Sequence, residues 1–331
     1  MFGIGIIGAG SFGETHARAI AELKNAKLVA ASRTNAHALG EFVRQFGGRG
    51  YTQYQDLLND PAVQVVVIAT PHHLHTEIAE HAARAGKPIL LEKPMAPNLE
   101  ECDRIVAAAK KANVTLMVGF VNHYARAYQV AKQVLASGEI GEIVLGVSTM
   151  AKTWVEPNRR EWHRDRATGG GMWLTAGIHC LDRLTWLVNS PVSRVCAKFA
   201  TRFHDQAADD TGMISLQYAN GALGTIVSVG YATGVTDHST RVIGTRGMLQ
   251  MDYVTGVAIG RDETWHTIPG SGLRDWMHEA VVGEWRAFLD ALERDSAPPI
   301  SGAYGREIMR VAFAAEASAR ESRVIELPAD R

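Results

Sequence analysis

Short apolar runs and longer amphipathic runs alternate between Phe2 and Phe120. The apolar runs, such as IGIIGA and VQVVVIAT, are rich in β-branched residues, and the stretches between them repeat apolar positions at helical spacing. This alternation predicts strands and helices that follow one another as βαβ units. Because the strands are apolar on both faces, we expect a parallel sheet covered by helices on each side.

The pattern changes after a helix predicted at 124–136. Strand-like runs then follow one another directly, and Asn220-Gly221 is a hairpin turn signal. These runs predict a mostly antiparallel sheet, followed by helices near 275–293 and 303–320 and a last strand, RVIEL. The sequence therefore predicts an α/β protein with two domains. The first, residues 1–122, has a doubly wound parallel sheet of the Rossmann type, and the second covers residues 123–331.

Three glycines follow the first predicted strand with the spacing G-x-G-x-x-G. Gly8 allows a tight turn, Gly10 lets a pyrophosphate approach the backbone, and Gly13 lets the next helix pack closely on the strand. The first turn of that helix, with Ser11 and Phe12, supplies N–H donors to phosphate. A glycine-rich turn without a ligand is the alternative, but this context favours a dinucleotide.

The end of the second predicted strand indicates which dinucleotide is bound. An NAD site has an acidic residue there, about 20 residues after the glycines, for the ribose 2′-hydroxyl. This chain has Ser32, Arg33 and Thr34 instead. A small hydroxyl followed by a guanidinium leaves room for a 2′-phosphate and binds it, so the sequence favours NADP. NAD bound beside a solvated arginine is the alternative.

Composition and charge exclude several classes of partner. The 331 residues are 46% hydrophobic and 21% charged, with a formal net charge of −1. Without a long run of one sign, we expect no nucleic-acid or membrane partner. The widely spaced Cys102, Cys180 and Cys196 indicate buried structural thiols rather than a disulfide framework. We expect a cytoplasmic location, because the sequence has no signal-like start and no membrane-spanning run.

Two further motifs carry a family resemblance. The stretch ATPHHLHTEIAEHAARAGKPILLEKPMAPNLEE at 69–101 contains Glu92-Lys93-Pro94, and GGGMWLTAGIHCLD at 169–182 is a glycine run followed by a helix with His179. In order and spacing both resemble the signatures of the glucose-fructose oxidoreductase, inositol dehydrogenase and rhizopine-catabolism family, called Gfo/Idh/MocA, over essentially the whole chain. The resemblance implies a nicotinamide cofactor between a Rossmann domain and a substrate domain, whose open sheet builds homodimers or homotetramers.

The resemblance also implies roles for individual residues. Lys93 and His179 take the family's catalytic places, both are expected to bind substrate, and the peptide bond before Pro94 is expected to be cis. His179 suits the proton acceptor of an alcohol oxidation, because an imidazole titrates near neutral pH, and Lys93 would hydrogen-bond the same oxygen. Besides Lys93, further contacts to the cofactor are expected from Thr70, Pro71, His72, His75, Glu92 and Asn122.

Polar positions of the predicted helix 172–188 form a stripe. At steps of three and four residues, one face carries Met172, Thr175, His179, Asp182 and Trp186. A polar stripe with a histidine at its centre is typical of a helix that faces a cleft; a buried His179 bonded to Asp182 is the alternative.

Two positions depart from the family pattern. Thr175 stands where the family has an aspartate, and a threonine hydroxyl can bind substrate but does not ionise. Either Asp182, which we count with the catalytic group, or a group on the substrate compensates, or the chemistry differs from simple polyol oxidation. His123 stands near a position where many relatives carry arginine, and it could alter the nicotinamide or substrate side of the cleft.

Two other clusters invite functional interpretations. His72, His73 and His75 suggest a metal site, but no carboxylate or cysteine lies at ligand spacing, and we predict no metal. The segment TWVEPNRREWHRDRATGG at 153–170 precedes the catalytic helix. As a loop it could bring side chains onto a hydroxylated ring, namely Trp154, Arg160, Trp162 and Arg164. A solvated surface loop is an equal alternative.

The leading hypothesis is an NADP-preferring oxidoreductase that acts on a secondary alcohol or ketone of a sugar, cyclitol or related small ring. A cis-dihydrodiol dehydrogenase or an imine reductase of the same architecture is a second possibility. A non-catalytic cofactor-binding regulator is the third, but it would need neither Lys93 nor His179.

Overall fold

The computed structural model describes residues 1–155 and 160–328, which divide into two compact units. The first unit contains Met1–Val121 and Met277–Met309, and the second contains Asn122–Trp276 and the chain from Arg310 onward. Within the described ranges, no helix combines the length and the apolar character needed to cross a bilayer.

Six parallel strands form the sheet of the first unit. They are β1 (Phe2–Ile7), β2 (Ala26–Ser32), β3 (Arg49–Tyr51), β4 (Val65–Ile68), β5 (Ile89–Glu92) and β6 (Leu116–Gly119). Their order, β3-β2-β1-β4-β5-β6, confirms the predicted Rossmann-type sheet. The order reverses between β1 and β4, and in such sheets ligands bind beyond the carboxyl ends of the strands at this point.

Five helices connect these strands, as the alternating pattern predicts. They are α1 (Ser11–Ile20), α2 (Ala36–Phe46), α3 (Tyr54–Asn59), α4 (His75–Arg84) and α5 (Leu99–Ala112). A 3₁₀ turn, His72–Leu74, precedes α4. The strands β1, β4 and β5 are buried along almost their whole length, which is why they are apolar on both faces.

The chain returns to the first unit near its end. Helix α8 (Trp276–Glu293) buries Trp285 and Phe288 completely. Ser301 pairs with Met117, and a Cβ on Gly302 would lie 2.5 Å from Leu116, so the chain approaches β6 closely. Residues 277–309 therefore belong with the first unit, whereas the predicted boundary at 122 assigns everything after it to the second domain.

Nine strands form the sheet of the second unit. They are β7 (Ile143–Thr153), β8 (Val192–Ala200), β9 (Thr211–Tyr218), β10 (Leu223–Tyr231), β11 (Thr240–Gly244), β12 (Met248–Asp252), β13 (Gly256–Arg261), β14 (Thr264–Ile268) and β15 (Ile325–Glu326). Among these described strands only β7 and β10 pair in parallel, which confirms the mostly antiparallel prediction. The hairpin predicted at Asn220-Gly221 joins β9 to β10.

The helices of the second unit are α6 (Arg126–Ala136), α7 (Ile178–Val188) and the later part of α9 (Gly302–Glu321). A fully buried arginine, Arg183, anchors α7 to the sheet. Its guanidinium donates to Ser148 Oγ at 2.7 Å, to Tyr253 Oη at 2.8 Å and to the Thr149 carbonyl at 2.6 Å. These neutral acceptors hold the helix that carries His179.

One face of the second sheet presents apolar side chains in register. Trp265 and Leu223 are about half exposed. The row crosses six strands, with Gly260 on β13 and apolar side chains on the other five, namely Trp265, Met248, Ile243, Leu145 and Leu223. Cys196 is also exposed, so the expectation that all three thiols are buried is wrong for this residue. It alternates along β8 with the buried Val195 and Ala197, which point to the opposite face.

Candidate active site

The glycine triplet shapes a backbone cradle between β1 and α1. Gly8 has a φ of +101°, and a Cβ there would lie 2.6 Å from the Ala69 carbonyl. A Cβ on Gly13 would lie 2.5 Å from Gly8 O, whereas the space around Gly10 is open. Among the described residues no side chain caps the first turn of α1. The loop therefore fits the pyrophosphate of a dinucleotide.

Arg33 is brought to this loop. Its Nη1 donates to the carbonyl of Ala9, between the first two glycines, at 3.0 Å. The carbonyl of Ser32 accepts from the N–H groups of Gly8 and Ala9, so the end of β2 is tied to the loop as well. Ser32 is buried, and Thr34 is exposed. The end of β2, with Ser32, Arg33 and Thr34, thus lies at the edge of the cradle.

The turn that carries Lys93 begins where β5 ends. The Lys93–Pro94 peptide bond is cis, as expected, and Lys93 is partly buried. His75, at the start of α4, places one ring nitrogen 3.1 Å from Pro94 O and the other 2.9 Å from Thr70 O. Complete burial lowers the pKa of His75. His75 thus links Thr70 and Pro94, while Pro71 and the buried His72 lie just before α4.

A second histidine, His16, meets the other side of this turn. Its Nε2 lies 3.0 Å from Glu92 Oε1, and its Nδ1 accepts from the indole Nε1 of Trp285 at 3.0 Å. The ring of His16 also packs edge-on against Phe12 in the first turn of α1. Sequence reasoning missed His16 and Trp285, because they are 269 residues apart. Only the structure brings them together.

His16, Glu92 and Glu284 are all buried, with ligand-type atoms within 4.8 Å of one another. Such a set is the kind that binds divalent cations. However, Nδ1 of His16 accepts from an indole N–H, so the proton of a neutral imidazole must be on Nε2. Neither ring nitrogen then offers a free lone pair to a metal. His16 and Glu92 instead belong to a hydrogen-bond chain that starts at Trp285.

In the second unit, the predicted helix 172–188 starts with a π-helical turn, Trp173–Gly177. Asp209 holds its beginning, because its carbonyl accepts from Met172 N at 3.0 Å and its carboxylate from Trp173 N at 2.9 Å. Burial raises the pKa of Asp209 to about 8. A π turn bonds residue i to i+5, so Met172 and Thr175 do not keep the α-helical spacing to His179 that the predicted stripe assumes.

Thr175 is buried, and its Oγ1 donates to the Gly169 carbonyl at 3.2 Å. His179, Asp182 and Trp186 follow within regular α7, where their spacing places them on one face. His179 and Trp186 are partly exposed, whereas Asp182 is fully buried.

His123 pairs with Asp182. Its Nε2 lies 2.9 Å from Asp182 Oδ1, and its ring stacks on Trp186 with 4.2 Å between ring centroids. Asn122, immediately before it, is buried in the same unit. The position that departs from the family pattern is therefore a partner of helix α7.

Of the segment predicted to contact substrate, residues 156–159 lie outside the described residues. Trp154 is fully buried and donates through Nε1 to Gln206 Oε1 at 2.9 Å, so its indole is a core side chain of this unit. Arg160 begins a 3₁₀ turn, Glu161–Arg164, and is exposed. Trp162 stacks on His163, and Arg164 donates to the Asp205 carbonyl.

Comparison with known proteins agrees with both halves of this arrangement. Residues 2–120 match an oxidoreductase family model with an NAD-binding Rossmann fold, and residues 128–250 match the Gfo/Idh/MocA C-terminal domain. The chain is 30% identical to a levoglucosan dehydrogenase from Pseudarthrobacter phenanthrenivorans, covering 76% of this chain and 73% of that one. The chain belongs to the Gfo/Idh/MocA family. It is an NAD(P)-dependent oxidoreductase of the dehydrogenase type.

Two further comparisons cover almost the full length of the chain. A myo-inositol 2-dehydrogenase from Thermotoga maritima is 26% identical and covers 98% of both chains. A structure of levoglucosan dehydrogenase in complex with NADH has a TM-score of 0.91 at 25% identity, with 99% of both chains covered. The family architecture therefore extends over the whole of this chain.

Proposed function

We propose that this protein is an NADP-preferring oxidoreductase that transfers a hydride between nicotinamide and a secondary alcohol or ketone of a sugar, cyclitol or related ring. The substrate class is supported by full-length relatives named for inositol and levoglucosan. It is also supported by Lys93 and His179 at the two motif positions.

Arg33 carries the proposed preference for NADP. A guanidinium has five N–H donors, and one of them fixes Arg33 on the Ala9 carbonyl beside the phosphate cradle. No acidic residue stands at the end of β2 to accept from a ribose 2′-hydroxyl. A positive group at this edge favours a 2′-phosphate, whereas NADH lacks that phosphate.

The roles of the chain's own groups follow from their chemistry. A nicotinamide held at the glycine loop would supply or accept the hydride. His179 takes the proton of the substrate hydroxyl, and Lys93 donates a hydrogen bond to the same oxygen as it becomes a carbonyl. In the reductive direction His179 returns the proton. The Thr175 hydroxyl donates its hydrogen bond to the Gly169 carbonyl, so toward a substrate it would act as a hydrogen-bond acceptor.

The first experiment measures the absorbance of reduced nicotinamide with NADP⁺ and with NAD⁺ across sugars, cyclitols, glycosides and cis-dihydrodiols. Turnover with a polyol or sugar supports the proposal. Turnover with dihydrodiols alone would replace the substrate class, and silence in a sample that binds cofactor would favour a reductase of another substrate or a regulator.

Arg33→Ala tests the cofactor preference. We expect NADPH affinity to fall about 10- to 100-fold, because charge-assisted hydrogen bonds to the 2′-phosphate are lost, and NADH affinity to change little. Arg44→Ala, which removes an exposed arginine paired with Glu41 on α2, is the matched control. Equal losses for the two cofactors would exclude the role of Arg33.

We also propose that the protein forms homodimers or homotetramers through the apolar row of the second sheet, Trp265 to Leu223. Burial of such a row would remove two half-exposed apolar side chains per chain from water. Replacing Leu223 by lysine should shift the molecular mass in light scattering toward the monomer; an unchanged mass would assign assembly to another surface.

A further inference from the structure

Three buried side chains connect helix α8 to the turn that carries Lys93. Trp285 Nε1 donates to His16 Nδ1 at 3.0 Å, and His16 Nε2 lies 3.0 Å from Glu92 Oε1. Trp285 and His16 are fully buried, and Glu92 is only 6% exposed. All three belong to the first unit. Glu92 is the last residue of β5, and Lys93 follows it directly.

The direction of this chain is fixed by chemistry. An indole nitrogen can only donate, so His16 Nδ1 must accept. His16 Nε2 then carries the proton and donates a hydrogen bond to the Glu92 carboxylate. Trp285 therefore selects one tautomer of His16, and that tautomer is the one that can bond Glu92.

Glu92 is confined from a second direction by β6. Gly119 pairs with Glu92 across the two strands, and a Cβ on Gly119 would lie 2.8 Å from Glu92 Oε1. The carboxylate thus lies over bare backbone, in space that any other residue at 119 would fill. On the far side of Lys93, His75 lies against the Pro94 carbonyl.

We propose that Trp285 and His16 are positioning residues for the reaction: they fix the Glu92 carboxylate and, through it, the start of the turn from which Lys93 acts. The link to turnover rests on the proposed function. The hydrogen-bond chain itself stands on the geometry of the first unit.

His16→Leu and His16→Gln form the first test. A leucine fills space without donating, and we expect kcat to fall about 10- to 100-fold while KM changes less, because a small displacement of a catalytic group costs this much. A glutamine amide can place an N–H where Nε2 lies, so His16→Gln should recover most of kcat. Equal kcat in both variants would overturn the proposal.

The matched control is His278→Leu. His278 also meets a glutamate, with Nε2 2.5 Å from Glu22 Oε1, and it lies in the same unit, but the pair is partly exposed and remote in sequence from Lys93. The kcat of His278→Leu should equal that of the wild type.

Gly119→Ala keeps the test decisive if His16→Leu does not fold. The three heavy atoms nearest the new methyl group all belong to the flexible end of Glu92, so we expect the carboxylate to move and break its bond to His16, at a cost of about 1–3 kcal/mol in unfolding free energy. The kcat should fall as in His16→Leu. A Gly119→Ala enzyme that folds and keeps its kcat would contradict the proposal.

Two NMR readouts need no substrate. Nitrogen spectra of histidine-labelled protein should show His16 protonated on Nε2 and bare on Nδ1, and the Nδ1 resonance should shift in Trp285→Phe, which removes the donor to that nitrogen. The amide resonance of Lys93 should shift in Gly119→Ala and stay in place in His278→Leu. A proton on Nδ1, or an unmoved Lys93, overturns the positioning role even if the enzyme is active. If the wild type shows both NMR results but no turnover, the result counts against the proposed function and not against the hydrogen-bond chain.

Discussion

Two buried histidine–carboxylate pairs, one in each unit, flank the two proposed catalytic residues. Glu92 of the first pair precedes Lys93, and Asp182 of the second lies one helical turn after His179. The Nε2-to-oxygen distances are 3.0 and 2.9 Å. The pairs differ in their tryptophans: Trp285 meets His16 edge-on at 88°, whereas Trp186 stacks on His123 at 19°.

That difference changes what the tryptophan contributes. An edge-on indole that reaches a ring nitrogen supplies a hydrogen bond and so selects a tautomer. A stacked indole supplies contact area and leaves both ring nitrogens to other partners. The same two side-chain types can therefore define a proton position in one place and a packing surface in another.

The two proposed catalytic residues set the upper limit for the loss of kcat that breaking either pair can cause. We expect Lys93→Ala to abolish measurable turnover, and His179→Ala to lower kcat about 10²- to 10⁴-fold, because each removes a group that acts on the reacting oxygen. Both variants should still bind NADPH, measured by cofactor fluorescence. If either keeps its kcat, the pair beside it loses its proposed connection to catalysis.

Breaking the second pair should mainly affect folding. Asp182→Ala removes the buried acceptor of His123 and should lower the unfolding free energy by about 3 kcal/mol. Asp182→Asn retains an acceptor oxygen and should cost less. Urea unfolding measures both, with Asp290→Ala, at an exposed helical carboxylate, as the control that should change stability by less than about 0.5 kcal/mol. Equal costs at 182 and 290 would mean that the His123 bond contributes nothing.

A buried carboxyl at the start of the π turn, Asp209, is expected to make the stability of the second unit depend on pH. Burial raises the pKa of Asp209 from 3.8 to about 8, so between these values the folded state keeps a proton that the unfolded state releases. Stability must then decrease as pH rises through this window.

Asp209→Asn removes that proton exchange and keeps an acceptor for Trp173. Relative to the wild type, the variant should gain more than about 1 kcal/mol of stability between about pH 5 and pH 8. Denaturant midpoints across this range measure the difference. Parallel curves would show that Asp209 is ionised in the folded protein.

Features that depend on one short, continuous segment of the chain could be predicted from the sequence. The glycine triplet, the end of β2 and Glu92-Lys93-Pro94 each lie within one short segment whose spacing has a physical meaning, and the structure has a cradle, an arginine contact and a cis bond there. The parallel and antiparallel sheets follow from where apolar runs alternate with helices and where they do not.

Features that depend on distant residues could not be predicted. The π turn needs Asp209, which follows it by more than 30 residues, and the helix pattern alone predicts ordinary spacing. Trp154 is an aromatic residue of the kind that packs on a sugar ring, but its indole is buried and bonded to Gln206, which belongs to a later loop. Arg183 resembles a surface charge in the sequence, because its neutral acceptors come from three other segments.

The first unit is completed only by Met277–Met309, near the end of the chain. On the ribosome, Trp285 emerges long after His16, and at about 5–20 residues per second the wait from Val121 to Met309 is roughly 10–40 s. During that interval the residues that α8 later contacts, among them His16 and Glu22, are open to chaperones and to other chains. A chimaera that exchanges the second unit between relatives would accordingly need two junctions, one near Val121 and one near Met277. A single junction near Val121 would also replace Met277–Met309, and His16 would lose its own Trp285.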